Sequence, residues 1–120
     1  MKCMVFVKAT KDSEKGTLPT AELMAGMGKF IHELIEAGIM KGGGGLKPTS
    51  QAKRIRFSGA QRTVVNGPFD PTEEQVAGYW LWEVKSMDEA VEWLKKCPNP
   101  MLVDSDIEIR PEYGPEDFAG

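Results

Sequence analysis

Apolar and polar residues alternate from Lys2 to Ala9, with Cys3, Val5 and Val7 on one side and Met4, Phe6 and Lys8 on the other. That is the period-two pattern of a strand. A polar loop follows over residues 10–19. Thr20 then reads as a helix N-cap, with Glu22 placed at the positive end of the helix dipole. Leu23, Met27, Phe30, Ile31, Leu34 and Ile35 recur at helical spacing and predict a helix over 21–37, closed by Gly38. Gly42 to Gly45 with Leu46-Lys47-Pro48 reads as a flexible or tightly turning connection. The alternation resumes at 53–58, where Ile55 and Phe57 oppose Arg54 and Arg56. A turn at Gly59-Ala60-Gln61 leads to a return strand, Arg62 to Val65.

After a turn-rich stretch, residues 76–84 are apolar and aromatic on both sides, which predicts a central strand covered on both faces. Ser86 and Glu89 stand at capping-box separation before an amphipathic run of Met87, Ala90, Val91 and Leu94, ended by Pro98 and Pro100. A final strand covers 106–111, with Ile107 and Ile109 opposite Glu108 and Arg110. With one strand of the middle hairpin set aside as extra, the order is βαββαβ. This α+β pattern is the ferredoxin-like split βαβ arrangement, with two helices on one face of an antiparallel sheet.

Such a sheet leaves one face without helices. Residues 2–9 and 76–84 offer apolar groups to both faces, and 41% of the chain is hydrophobic, more than one covered face requires. The expectation is a homodimer packed sheet against sheet. With Ile55, Phe57, Ile107 and Ile109 turned toward the helices, the open face receives Arg54, Arg56, Glu108 and Arg110, joined by Lys8. Cations between aromatic walls are how a small-molecule site is built; charges on strand edges in water are the plainer alternative.

The chain has 120 residues, room for one domain; residues 1–113 are assigned to it and 114–120 to a polar tail. Fifteen Lys and Arg against 18 Asp and Glu give a net charge of −3, which argues against nucleic acid as a partner. No apolar stretch approaches the roughly 20 residues that span a bilayer, and the N-terminus lacks the pattern of a signal peptide. A soluble cytoplasmic protein without a membrane partner is expected. Cys3 and Cys97 match no metal spacing and read as small buried hydrophobes. His32 is the single histidine and falls with Lys29, Glu33 and Glu36 on the polar side of the first helix. No metal or cofactor site is expected. Chemistry is left to carboxylates, Arg and Lys. The glycine run lacks the Gly-Lys-Ser/Thr ending of a phosphate loop. Of Tyr79, Trp80 and Trp82, two are expected in the core.

The stretch Asn66-Gly67-Pro68-Phe69, with Thr72 and Glu74 after it, resembles the DGPF-domain branch of the YCII-related family, named for an Asp-Gly-Pro-Phe motif. The likeness extends to Lys8-Ala9-Thr10, Ser13-Glu14, Ala37-Gly38, Gly45-Leu46-Lys47-Pro48, Gly78-Tyr79-Trp80, Val84-Lys85-Ser86, Glu89-Ala90, Cys97-Pro98 and Ile107 to Pro111. It implies a dimeric ferredoxin-like α/β barrel. Some members are linked to extracytoplasmic-function sigma factors, and an enzymatic role is attributed to the wider family on a cleft and a His/Asp pair. This chain departs from the pattern: Asn66 replaces the motif Asp, Asp70-Pro71 and Glu73 replace other motif residues, and Gly44 stands where Glu is common. An amide cannot titrate, so Asn66 cannot be a general base, although it replaces Asp well in a turn.

Three readings follow. The first is a dimer binding a small molecule, anionic or neutral, in a cleft on the sheet face, with Lys8, Asn66, Phe69, Glu74 and Arg110 around it. The second is a regulatory interaction protein tied to a sigma factor, on the resemblance alone. The third is a small lyase or isomerase working by carboxylate acid/base chemistry, with Glu74 the first acid to consider and Arg110 placed to pair with it or to bind an anion.

Overall fold

A computed structural model describes residues 1–119; Gly120, the end of the expected tail, lies outside the described residues. The elements are β1 (Lys2–Lys8), α1 (Lys11–Glu14), α2 (Ala21–Glu36), β2 (Met40–Gly45), β3 (Lys53–Ser58), β4 (Gln61–Asn66), β5 (Val76–Glu83), α3 (Met87–Leu94) and β6 (Ile107–Pro111), with short 3-10 turns at Thr49–Gln51, Thr72–Glu74 and Pro115–Phe118. Four strands form one antiparallel sheet in the order β2-β5-β1-β6, and β3 pairs only with β4. Without that hairpin the chain is a split βαβ unit, an α+β fold compatible with the ferredoxin-like arrangement. The main sheet is open, with β2 and β6 at its edges.

Cross-strand pairs set the two faces, because residues directly opposite one another share a side. Cys3 pairs with Trp82, Val5 with Trp80 and Ile109, and Val7 with Ile107. That side meets the helices. Cys3, Val5 and Trp82 pack there with Phe30 and Leu34 of α2, Ala90 of α3, and Ile39 and Val84. The caps form as the sequence suggests: Thr20 accepts from the Leu23 N–H at 3.1 Å and Ser86 from the Glu89 N–H at 3.2 Å. The reciprocal half of the second box shifts by one residue, since the Glu89 carboxylate accepts from the Lys85 N–H instead.

Four expectations are corrected. The glycine run is not a turn but strand β2, paired with β5 from Met40↔Trp82 to Gly45↔Gly78. The β3–β4 hairpin therefore supplies no strand to the main sheet; every one of its residues is exposed, and Ile55 and Phe57 face solvent rather than helices. Arg54 and Arg56 accordingly leave the main sheet's open face. Strand β5 is covered on one face only: Trp82 is buried, whereas Tyr79 and Leu81, opposite Phe6 and Met4, are half-buried on the other. The loop over 10–19 contains α1, whose capping box joins Thr10 and Ser13.

Gly43 shows why the 42–45 stretch of β2 cannot carry a side chain at every position. Its φ is +154°, and a Cβ there would lie 2.4 Å from the Tyr79 carbonyl oxygen and 2.6 Å from Trp80 Cδ1. Gly43→Ala is expected to push β2 off β5 and to cost about 1–3 kcal/mol, measured by urea unfolding.

Candidate functional site

The helix stripe is longer than the core it meets. Phe30 and Leu34, in the C-terminal half of α2, are buried, while Leu23, Met27 and Ile31 are half-buried. These three stand over the β2–β5 side of the sheet, where the glycine strand fills no space. The result is a cleft of about 860 Å³, within the size range of small-molecule sites. Its walls are Leu23, Met27 and Ile31 above, Met40, Gly43, Gly45 and Trp80 below, and Leu18, Leu46, Met101 and Leu102 around the mouth. Asp12 and Lys47 are the charged residues among its lining.

Trp80 links the cleft to the core. Its ring stacks on Trp82 at 6.0 Å with an interplanar angle of 9°, and Phe30 tilts against it at 6.1 Å. One indole is therefore core and the next is half-buried and lines the cleft, while Tyr79 lies on the opposite face. A half-buried indole beside an apolar cavity offers an aromatic contact to a planar molecule.

The five residues singled out in the sequence do not line this cleft. Lys8 donates through Nζ to the backbone carbonyl of Glu74 at 3.0 Å, so these two are adjacent without their side chains pairing. Glu74 is exposed in its 3-10 turn, and no ion pair joins it to Arg110 among the described residues. Arg110 is exposed beside Met4 on the open face of the main sheet, with Glu108 beside Phe6. Asn66 ends β4, where its Oδ1 accepts from Lys53 Nζ at 2.7 Å.

Phe69 is buried and belongs to a clasp at the root of the hairpin. Its N–H donates to Thr49 Oγ1 at 3.1 Å, and the Arg54 guanidinium lies 3.7 Å from its ring centroid. The Thr49 N–H and hydroxyl both donate to the Glu14 carboxylate, and the Gly67 N–H donates to the Ala52 carbonyl at 2.9 Å. In this chain, the Asn-Gly-Pro-Phe stretch thus ties together α1, the 49–51 turn and the base of β3–β4.

His32 is solvated, as its helix position suggested, and sits 3.0 Å from Glu36. Among the described residues, no group of three or more His, Cys, Asp or Glu could hold a metal ion. Among the described residues, no helix is long and apolar enough to cross a membrane. The cleft was missed in the sequence because its signal is negative: four consecutive residues without side chains.

The family model for the YCII-related domain matches residues 1–111. An uncharacterized protein of Rhizobium meliloti (strain 1021) is 30% identical to this chain over 89 residues, which make up 74% of this chain and 72% of that protein.

A Cβ at position 67 would lie 1.6 Å from the Thr49 carbonyl oxygen, so Gly67→Ala is expected to cost about 3 kcal/mol, seen as a lower urea midpoint. Burial raises the pKa of both thiols, that of Cys97 to about 11 from 9.0. Both are expected to react slowly with Ellman's reagent at pH 8 in the native protein and rapidly in guanidinium. Because the folded pKa of Cys97 is the higher one, its contribution to stability is complete below pH 9.0 and declines toward about pH 11.

Proposed function

The chain belongs to the YCII-related family, and on that premise we propose that it is a small cytoplasmic homodimer that binds a largely apolar, planar small molecule in the cleft between α2 and the glycine strand. The observation that carries the reading is the cleft floor itself. Gly45 shares a face with Gly43, Gly78 and Trp80; the space a side chain at Gly45 would take is empty, and the half-buried Trp80 lines the same cleft.

The apolar lining favours binding over acid/base catalysis, since Asp12 and Lys47 at its border are the charged groups it offers. It also favours an uncharged ligand over an anionic one. The homodimer is supported by the open face of the main sheet, where Met4, Phe6, Tyr79 and Leu81 form an apolar block edged by Glu83, Glu108 and Arg110. Free thiols at Cys3 and Cys97 suit a reducing compartment. Within the family, the reading sets the chain beside the DGPF branch, on the strength of Asn66-Gly67-Pro68-Phe69.

Gly45 provides the test, because no heavy atom lies within 4 Å of a Cβ built there. Gly45→Leu is expected to fill the cleft without disturbing the fold. Titration with N-phenyl-1-naphthylamine, an uncharged aromatic probe, followed by energy transfer from tryptophan, should show saturable binding to the native protein. In Gly45→Leu, binding should weaken at least tenfold with the urea midpoint unchanged. Equal binding by both proteins, or none by either, would exclude the cleft as a ligand site.

A further inference from the structure

The β3–β4 hairpin is built like half of an interface. A two-stranded hairpin alone is marginal in water, yet this one pairs with no other strand and all of its residues are exposed. Its two faces differ. One carries Ile55, Phe57 and Val64, which are 48%, 69% and 57% exposed, flanked by Lys53 and Arg62; the other carries Arg54, Arg56, Thr63 and Val65. An apolar strip on a protruding arm is a surface waiting for a cover.

Size measures agree. The radius of gyration is 16.5 Å, where a compact chain of this length has about 13.5 Å. The extents of 48 × 46 × 20 Å describe a thin molecule with the arm splayed beside the body. The accessible surface is 8412 Å², against about 6,500 Å² for a compact monomer of this mass. The excess of roughly 2,000 Å² per chain is more than the roughly 800 Å² that each partner of a standard interface buries.

Charge indicates the occupant. Residues 53–66 contain Lys53, Arg54, Arg56 and Arg62 and no carboxylate, so the remainder of the chain has 11 cations against 18 carboxylates, a net −7. A basic arm with an apolar strip complements the acidic body of its own kind.

We propose that the hairpin is a dimerisation arm, whose Ile55, Phe57 and Val64 face seats on the body of a second copy of this chain. By two-fold symmetry each copy gives one arm and receives one. This rests on the homodimer of the proposed function and adds the element that makes it.

Sedimentation velocity between 0.1 and 100 μM tests it on four proteins: wild type, Ile55→Asp/Phe57→Asp, Val65→Asp on the other face, and a chain with residues 54–65 replaced by Asn-Gly. Wild type is expected to be a dimer and Val65→Asp to stay one. The double variant should dissociate at least 100-fold more readily, and the armless chain should be a monomer, with far-UV circular dichroism showing the body intact. A dimer that survives both arm changes overturns the inference while leaving the homodimer standing, as does Val65→Asp weakening it as much as the double variant. A monomeric wild type overturns both. So does a monomer that binds a 12-nucleotide RNA through the arm, which would assign those cations to nucleic acid.

Discussion

The close approach of the glycine stretch of β2 to β5 is the constraint on which the rest of the architecture depends. Gly43 lets the backbone of β2 lie against the Tyr79 carbonyl and the Trp80 ring at a distance no Cβ could share. That contact brings β2 into the sheet, and the same lack of side chains leaves the space beneath the N-terminal half of α2 unfilled. One residue type therefore both completes the sheet and hollows out the cleft. The C-terminal half of α2 has no such freedom, because Phe30 and Leu34 are held in the core around Trp82. The helix is anchored at one end and spans a cavity at the other.

The hairpin root shows a second division of labour. Phe69, Thr49 and Glu14 fix where β3 and β4 leave the body, and Gly67 permits it by passing almost against the Thr49 carbonyl. Within this chain the Asn-Gly-Pro-Phe stretch is a structural joint. Asn66 in place of an acid is no loss there, since its Oδ1 only accepts from Lys53.

The elements with strong periodicity were legible in the sequence. The β1 alternation, the α2 stripe with its Thr20 cap, the Ser86 cap and the paired isoleucines of β6 all stand where the pattern puts them. Strand β2 was not legible, because glycine has low strand propensity and cannot show alternation. That omission misled the assignment of β3, whose Ile55 and Phe57 alternate as a half-buried strand would. Alternation reveals that one face is apolar; it cannot say whether that face is covered by the chain's own helices. The five chosen site residues were polar or motif-bearing, whereas the cleft is defined by Leu23, Met27, Trp80 and absent side chains, which look like ordinary core in a sequence.

Sheet order also determines when this protein can exist. Strand β1 lies between β5 and β6, so the residues that begin at Lys2 must find partners that end at Pro111. Loop closure over nearly the whole chain precedes any reward from that pairing, which makes the main sheet slow and late to form. The β3–β4 hairpin needs only its own 14 residues, from Lys53 to Asn66, and hairpins of this kind close in roughly 1–10 μs. On a ribosome, β3 and β4 can meet while β1 is still single, so the exposed hairpin is the first part of the sheet structure able to pair, though alone it holds only marginally.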